Sequence, residues 1–136
     1  MNLLLATPIQ RSYVMMPPFG LGYLASAVKK KGHNVSILHC MLKKFDFDKF
    51  EEFIKQNDFD MVGMQMCTQD LNNVKRHLDI IKKIKPKTIT IVGGAHPSGD
   101  PIGTMQYIKN ADFAFQGEGE IAVSYTHLTL PTILLV

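Results

Sequence analysis

The sequence predicts a single α/β domain on a doubly wound, parallel, five-stranded sheet. Three observations carry that reading. Five short apolar runs recur along the 136 residues, and they are continuous rather than alternating in polarity, as strands buried on both faces are. Segments with apolar residues at helical spacing separate them. Strands that alternate with helices join by right-handed crossovers, which makes the sheet parallel and puts helices on both of its faces.

The elements follow in order. Asn2–Ala6 is the first run. It is too short for a signal-peptide core, no cationic segment precedes it, and Pro8 and Arg11 end it, so it reads as a buried strand and the expected location is cytoplasmic. Leu21, Leu24, Ala25 and Val28 form the first helical stripe, with Gly32 placed to end that helix. Val35–His39 is the second strand, and Phe47, Phe50, Phe53 and Ile54 form the second stripe. Met61–Met66 is the third strand. Asp70 stands where a cap for the third helix is expected, and Leu71, Val74, Leu78, Ile81 and Ile84 give that helix its face before Pro86 stops it. Thr88–Val92 is the fourth strand, Pro101 to Lys109 a weaker helix, and Phe113–Gln116 the fifth strand. Lysines at 29–31 and at 82, 83 and 85 collect at helix ends, where cations suit the negative end of the dipole. A phosphate-binding patch is the alternative reading.

From Ser124 to Val136 the chain carries no Asp, Glu, Lys or Arg, and Pro131 would interrupt the helix expected after the fifth strand. The wording Ser-Tyr-Thr-His-Leu-Thr-Leu-Pro-Thr resembles translated adapter or cloning sequence. The expected division is therefore a domain over 1–123 and a non-native tail over 124–136.

Composition narrows the function. Hydrophobic residues make up 46% and charged residues 20%, the balance of a globular protein. A net charge of +3 argues against a dedicated nucleic-acid binder, and the longest apolar runs are too short for a membrane helix. Two cysteines, Cys40 and Cys67, cannot complete a four-thiolate metal site.

In an open parallel sheet ligands bind outside the carboxyl ends of the strands. The residues there are the long loop Thr7–Phe19, then Cys67-Thr68-Gln69, then Gly93-Gly94-Ala95-His96-Pro97-Ser98, and Gly117-Glu118-Gly119-Glu120. Gly20-Leu21-Gly22-Tyr23-Leu24-Ala25 fits the dinucleotide fingerprint, but that fingerprint needs its first glycine directly after the first strand and an acid ending the second. Here the loop intervenes and the second strand ends in His39 and Cys40. A phosphoreceiver would want carboxylates where Thr7 and Cys67 stand.

Pro17-Pro18-Phe19-Gly20-Leu21-Gly22-Tyr23-Leu24-Ala25, Gly93-Gly94-Ala95-His96-Pro97-Ser98 and Gly117-Glu118-Gly119-Glu120, in this order and spacing, resemble the N-terminal cobalamin-binding domain of the radical S-adenosylmethionine family. The resemblance covers Met1 to about Val123. It implies a flavodoxin-like fold with the corrin ring over the carboxyl edge of the sheet and the nucleotide tail running down into the domain. Pro17, Pro18, Gly20, Leu21 and Gly22 would lie under the corrin. Met66, Cys67 and Thr68 would line the path of the tail with Gly93 and Gly94, Ala95 and His96 would bind the cofactor from the same loop, His96 by a hydrogen bond to backbone or a corrin amide, and Gln116 and Gly117 would close the far side. Bare glycine backbone suits a bulky ligand that needs space and donors.

Classical methyl-transfer modules carry D-x-H-x-x-G after the first strand, with the histidine on cobalt. The loop Thr7–Phe19 has no histidine, so the cofactor is expected to bind with its own base displaced and no histidine lower ligand. His96 is read as a hydrogen-bonding group rather than a metal ligand, because it lacks companion ligands. His33, His39 and His77 show no metal spacing. Glu118 and Glu120 are read as partners of a helix dipole, and Cys67 as a packing residue, since no base is identifiable beside it.

Family members carry a second domain whose C-x-x-x-C-x-x-C motif holds a four-iron cluster that cleaves S-adenosylmethionine. No such spacing exists here. The implied partner is thus a missing C-terminal radical domain, with the iron–sulfur cluster and S-adenosylmethionine confined to it, and this chain is expected to be the cobalamin-holding module of a methyltransferase or cyclase. A stand-alone corrinoid carrier or sensor and a nucleotide-binding flavodoxin-like domain are the alternatives.

Overall fold

A computed structural model describes residues 1–11 and 18–117. Pro17, Glu118, Glu120 and the segment 124–136 lie outside them.

The chain runs β1 (Asn2–Thr7), α1 (Phe19–Lys30), β2 (Asn34–His39), α2 (Phe47–Gln56), β3 (Met61–Gln65), a 3-10 turn (Thr68–Asp70), α3 (Leu71–Ile84), β4 (Ile89–Gly93), α4 (Ala95–Gly99), α5 (Pro101–Tyr107) and β5 (Phe113–Ala114). The strands form one sheet in the order β2-β1-β3-β4-β5, and every pairing is parallel. This is the flavodoxin-like architecture expected from the strand–helix alternation. The strand order reverses between β1 and β3, which makes the carboxyl edge at that point the natural place for a ligand.

Strand alternation splits the core into two layers. Leu4, Ala6, Val62, Met64, Met66 and Val92 face α2 and α3, where Phe50, Ile54, Val74, Leu78 and Ile81 meet them. Leu3, Leu5, Met61 and Ile91 point the other way, toward Leu21, Ala25 and Val28 of α1. Burying a side chain of the size of Leu21 or Val28 contributes about 1.5–3 kcal/mol. That burial holds α1 together, since its N-cap, Pro18, makes no side-chain capping bond. At its other end Gly32 takes φ +88 and donates its N–H to the Lys29 carbonyl at 2.9 Å, the left-handed termination that glycine permits.

Four details depart from the sequence reading. Among the described residues β2 is an edge strand paired only with β1, and Ser36 and Ile37 are exposed, so it is not buried on both faces. The weak helix at Pro101 to Lys109 is preceded by a separate short one. Asp100 divides α4 from α5, and its carboxylate accepts the Gly103 N–H at 3.0 Å with Pro101 at the first helical position. β5 is short, Phe113–Ala114: the Phe115 N–H still donates to the Val92 carbonyl at 2.9 Å, and beyond it Gln116 and Gly117 bind Ser98. Asp70 does not cap α3 with its side chain; its carboxylate accepts from the Cys67 N–H and from Gln10 Nε2, both at 2.9 Å.

Candidate functional site

A groove of about 250 Å³ opens on the α1 face of the sheet. Its floor is Leu3, Leu5, Met61, Gly63 and Ile91, its wall is Gly20, Leu21 and Leu24 of α1, and Gln65, Gly93, Gly94, Phe115 and Gly117 border it. It therefore runs from the carboxyl edge down between the strands and α1. The floor stays low beside Leu5 because Gly63 has no side chain; a Cβ there would come within 3.1 Å of Leu5 Cδ2.

The glycines around it differ in kind. Gly94 has φ +113, and a Cβ there would stand 2.7 Å from the Met66 carbonyl oxygen. The close approach of these two loops requires that glycine whatever binds beside it. Gly20 and Gly22 sit in the first turns of α1 with nothing within 4 Å of an added Cβ. Each costs helix stability, about 1 kcal/mol against alanine, with no neighbour among the described residues to demand it.

The rim is tied together by hydrogen bonds. Thr68 Oγ1 and His96 Nδ1 lie 3.1 Å apart and join the turn after β3 to α4. Gln116 Nε2 donates to the Ser98 carbonyl at 3.1 Å, and the Gly117 N–H donates to Ser98 Oγ at 3.2 Å. Gly117 itself has φ +83.

Of the residues singled out from sequence, Gly20, Leu21, Gly93, Gly94 and Gly117 line the groove. Thr68, Ala95, His96 and Gln116 stand at the same edge. Pro18 is half-buried at the start of α1, where its carbonyl accepts the Gly22 N–H at 3.0 Å. Cys67 is partly exposed at the end of β3. The Met66 side chain is fully buried in the α2–α3 layer, and only its backbone faces Gly94. Gly63, Gln65, Leu24 and Phe115 were not singled out. A glycine inside an apolar strand, as at Gly63, signals close approach of a ligand or another chain, and it was the one available clue. Ser98, which organises the far rim, offers no such signal.

Burial separates the two cysteines chemically. Cys40 is fully buried, and desolvation pushes its thiol up to about 12. Among the described residues no cluster of three or more His, Cys, Asp and Glu is placed to hold a metal ion, and no helix is long and apolar enough to cross a membrane.

Comparison with known proteins places the chain in a family. The family model described as "B12 binding domain" matches residues 8–125. The chain is 32% identical over 105 residues to an uncharacterized methyltransferase, PH0819, of Pyrococcus horikoshii, covering 77% of this chain and 23% of that protein. It is 32% identical over 111 residues to the anaerobic magnesium-protoporphyrin IX monomethyl ester cyclase of Rubrivivax gelatinosus, covering 76% and 19%. It thus spans about a fifth to a quarter of these curated relatives. The structure of the radical S-adenosylmethionine methyltransferase TsrM from Kitasatospora setae with cobalamin and a 4Fe-4S cluster bound superposes with a TM-score of 0.80 at 17% identity, over 90% of this chain and 23% of that one. At that identity the match speaks for the fold.

Proposed function

The chain belongs to the B12-binding domain family, and on that premise we propose that it seats the corrin ring of a cobalamin over the carboxyl edge of the sheet and threads the nucleotide tail into the groove beside α1. The observation that carries this reading is the pairing of a glycine-floored apolar groove with two helix glycines, Gly20 and Gly22, that no neighbour among the described residues requires. The apolar floor accepts a flat base and sugar carbons, while the bare backbone at Gly93, Gly94 and Gly117 leaves room for the rest of the tail. Met66 contributes backbone only. Thr68 and His96, already bonded to each other, present polar atoms to the amides around the ring.

A lower ligand from this chain is not expected. The loop Thr7–Phe19 contains no histidine and His77 is buried on the opposite face, so neither would supply a lower ligand, and a tail threaded into the groove would take the cofactor's own base away from the cobalt. When bound, cobalamin supplies a cobalt centre able to carry a methyl group. The chain's own residues hold the ring, sheath the tail from water and fix the ring's height above the sheet. In the intact protein we take the partner to be a radical S-adenosylmethionine domain that holds the iron–sulfur cluster, with methyl transfer or ring formation as the reaction.

Mixing the chain with hydroxocobalamin and desalting tests the core of this reading. Stoichiometric retention of the corrinoid is the expected result, and loss of all colour overturns it. Reduction to the cobalt(II) form then reads the ligand: nitrogen splitting in the paramagnetic spectrum would contradict the displaced-base arrangement. Iodoacetamide gives a position. Cys67, partly exposed at the rim, is expected to be labelled in the free chain and protected by corrinoid, while buried Cys40 resists in both states.

A further inference from the structure

Ile9, two residues beyond β1, has both of its backbone groups claimed by α3. Its N–H donates to His77 Nε2 at 3.0 Å, and its carbonyl accepts from Asn73 Nδ2 at 2.7 Å. Asn73 and His77 are one helical turn apart, so an acceptor and a donor on one face of α3 meet the donor and acceptor of a single residue. Gln10 extends the contact toward the start of α3, where its Nε2 reaches Asp70 Oδ1 at 2.9 Å, and its own N–H meets the Met41 sulfur at 3.3 Å.

Packing alone does not account for the imidazole of His77. The ring is fully buried, with Phe50 edge-on at 4.3 Å and Phe47 tilted at 4.9 Å between centroids. Because the Ile9 N–H is a donor, Nε2 must be the acceptor, which puts the ring proton on Nδ1. Nδ1 is buried and has no partner among the described residues, and an unsatisfied buried donor is destabilising. A leucine or phenylalanine would fill the same slot without that loss. What the imidazole supplies and an apolar side chain cannot is the bond to Ile9.

The segment so held leaves the carboxyl end of β1, beside the switch point, and α1 with Gly20 and Leu21 follows it. We infer that Asn73 and His77 form a two-point backbone clamp on Ile9 that positions Ile9 and Gln10, where the chain leaves β1 at the switch point, for the corrinoid, an inference that rests on the cofactor reading above. They are positioning residues, since neither lines the groove.

The test uses the full chain and three variants: His77→Leu, which removes the acceptor; Asn73→Ala, which removes only the donor to the Ile9 carbonyl and spares the core; and His77→Gln, which restores an acceptor without the ring. Amide hydrogen exchange is followed at Ile9 and Gln10 and at Val62 and Val92 in the sheet, together with the dissociation constant for hydroxocobalamin. In Asn73→Ala and His77→Leu, exchange at Ile9 and Gln10 is expected to accelerate at least about tenfold while the sheet amides hold, and corrinoid affinity to fall about tenfold, as for loss of one hydrogen bond of about 1.4 kcal/mol. His77→Gln should recover much of both. Should His77→Leu fail to fold, Asn73→Ala and His77→Gln still decide. Faster exchange with unchanged affinity overturns the positioning role, and unchanged exchange overturns the clamp itself. If the unaltered chain retains no hydroxocobalamin, the cofactor reading falls and the positioning role with it, whereas a clamp failure alone leaves wild-type retention intact.

Discussion

The two faces of the sheet are finished differently. On the α2–α3 side sixteen buried residues form one continuous cluster. On the α1 side the buried residues fall into clusters of five and three, with the groove opening among them. The first face is closed by packing and anchors the fold. The second carries Gly20 and Gly22 in its helix and, among the described residues, leaves apolar floor open at the groove, a shape that suits a ligand. The same contrast divides the glycines: Gly94 is required by a close approach within the fold, and Gly20 and Gly22 meet no such neighbour among the described residues.

The strongest way to sharpen the contrast is Gly94→Ala. The left-handed backbone at φ +113 and the 2.7 Å approach to the Met66 carbonyl leave no room for a methyl group. The substitution is expected to cost about 2–3 kcal/mol, a drop of about 10 °C in melting temperature. Calorimetry without any ligand checks it. A bulkier residue at 94 therefore cannot report on a tail path, because the fold suffers first. An unchanged melting temperature would move Gly94 into the same class as Gly20.

Acid attacks the closed face through His77. Burial, with the neighbouring Arg76 charge adding to it, lowers its pKa to about 3, against about 6.5 in the unfolded chain. Between those values the unfolded chain takes up a proton that the folded chain refuses. Stability present above pH 6.5 is therefore lost as the pH falls toward 3, by up to about 1.4 kcal/mol per pH unit from this residue. Urea unfolding of the wild type and His77→Gln at pH 8 and pH 5 isolates the contribution: the wild type should lose more between the two. Parallel losses would show that the imidazole is not held neutral.

Most of the architecture was legible in the sequence because it rests on local patterns. The stripes at Leu21–Val28 and Leu71–Ile84 and the continuous strands β1, β3 and β4 each carry their own period. β2 misled because Val35, Ile37 and Leu38 read as a buried run, and nothing local says that a strand lies at an edge with one neighbour. At the site, the glycine loops were visible as motifs. The difference between Gly94 and Gly20 was not, since it depends on a Met66 carbonyl 28 positions away in the chain. The clamp was invisible for the same reason: His77 carries no metal spacing, and its partner is the backbone of Ile9, |i−j| = 68.

The smallest energetic change gives the sharpest test of the comparison, because its two readouts should move in opposite directions. In Gly20→Ala and Gly22→Ala the added methyl group meets open space and the helix gains a better former, so each variant should be stabilised by about 0.5–1 kcal/mol. If the corrinoid lies against that backbone, the same methyl groups must weaken its binding, and more so at Gly20, which lines the groove, than at Gly22. Thermal unfolding of the free variants and titration with hydroxocobalamin measure the two effects separately. A merely structural glycine would be destabilised and lose affinity as a consequence of unfolding. A glycine on plain solvent-exposed helix would be stabilised and bind as before. Only a surface kept bare for a ligand gives a more stable protein that binds less well, and either of the other two patterns would remove α1 from the binding face.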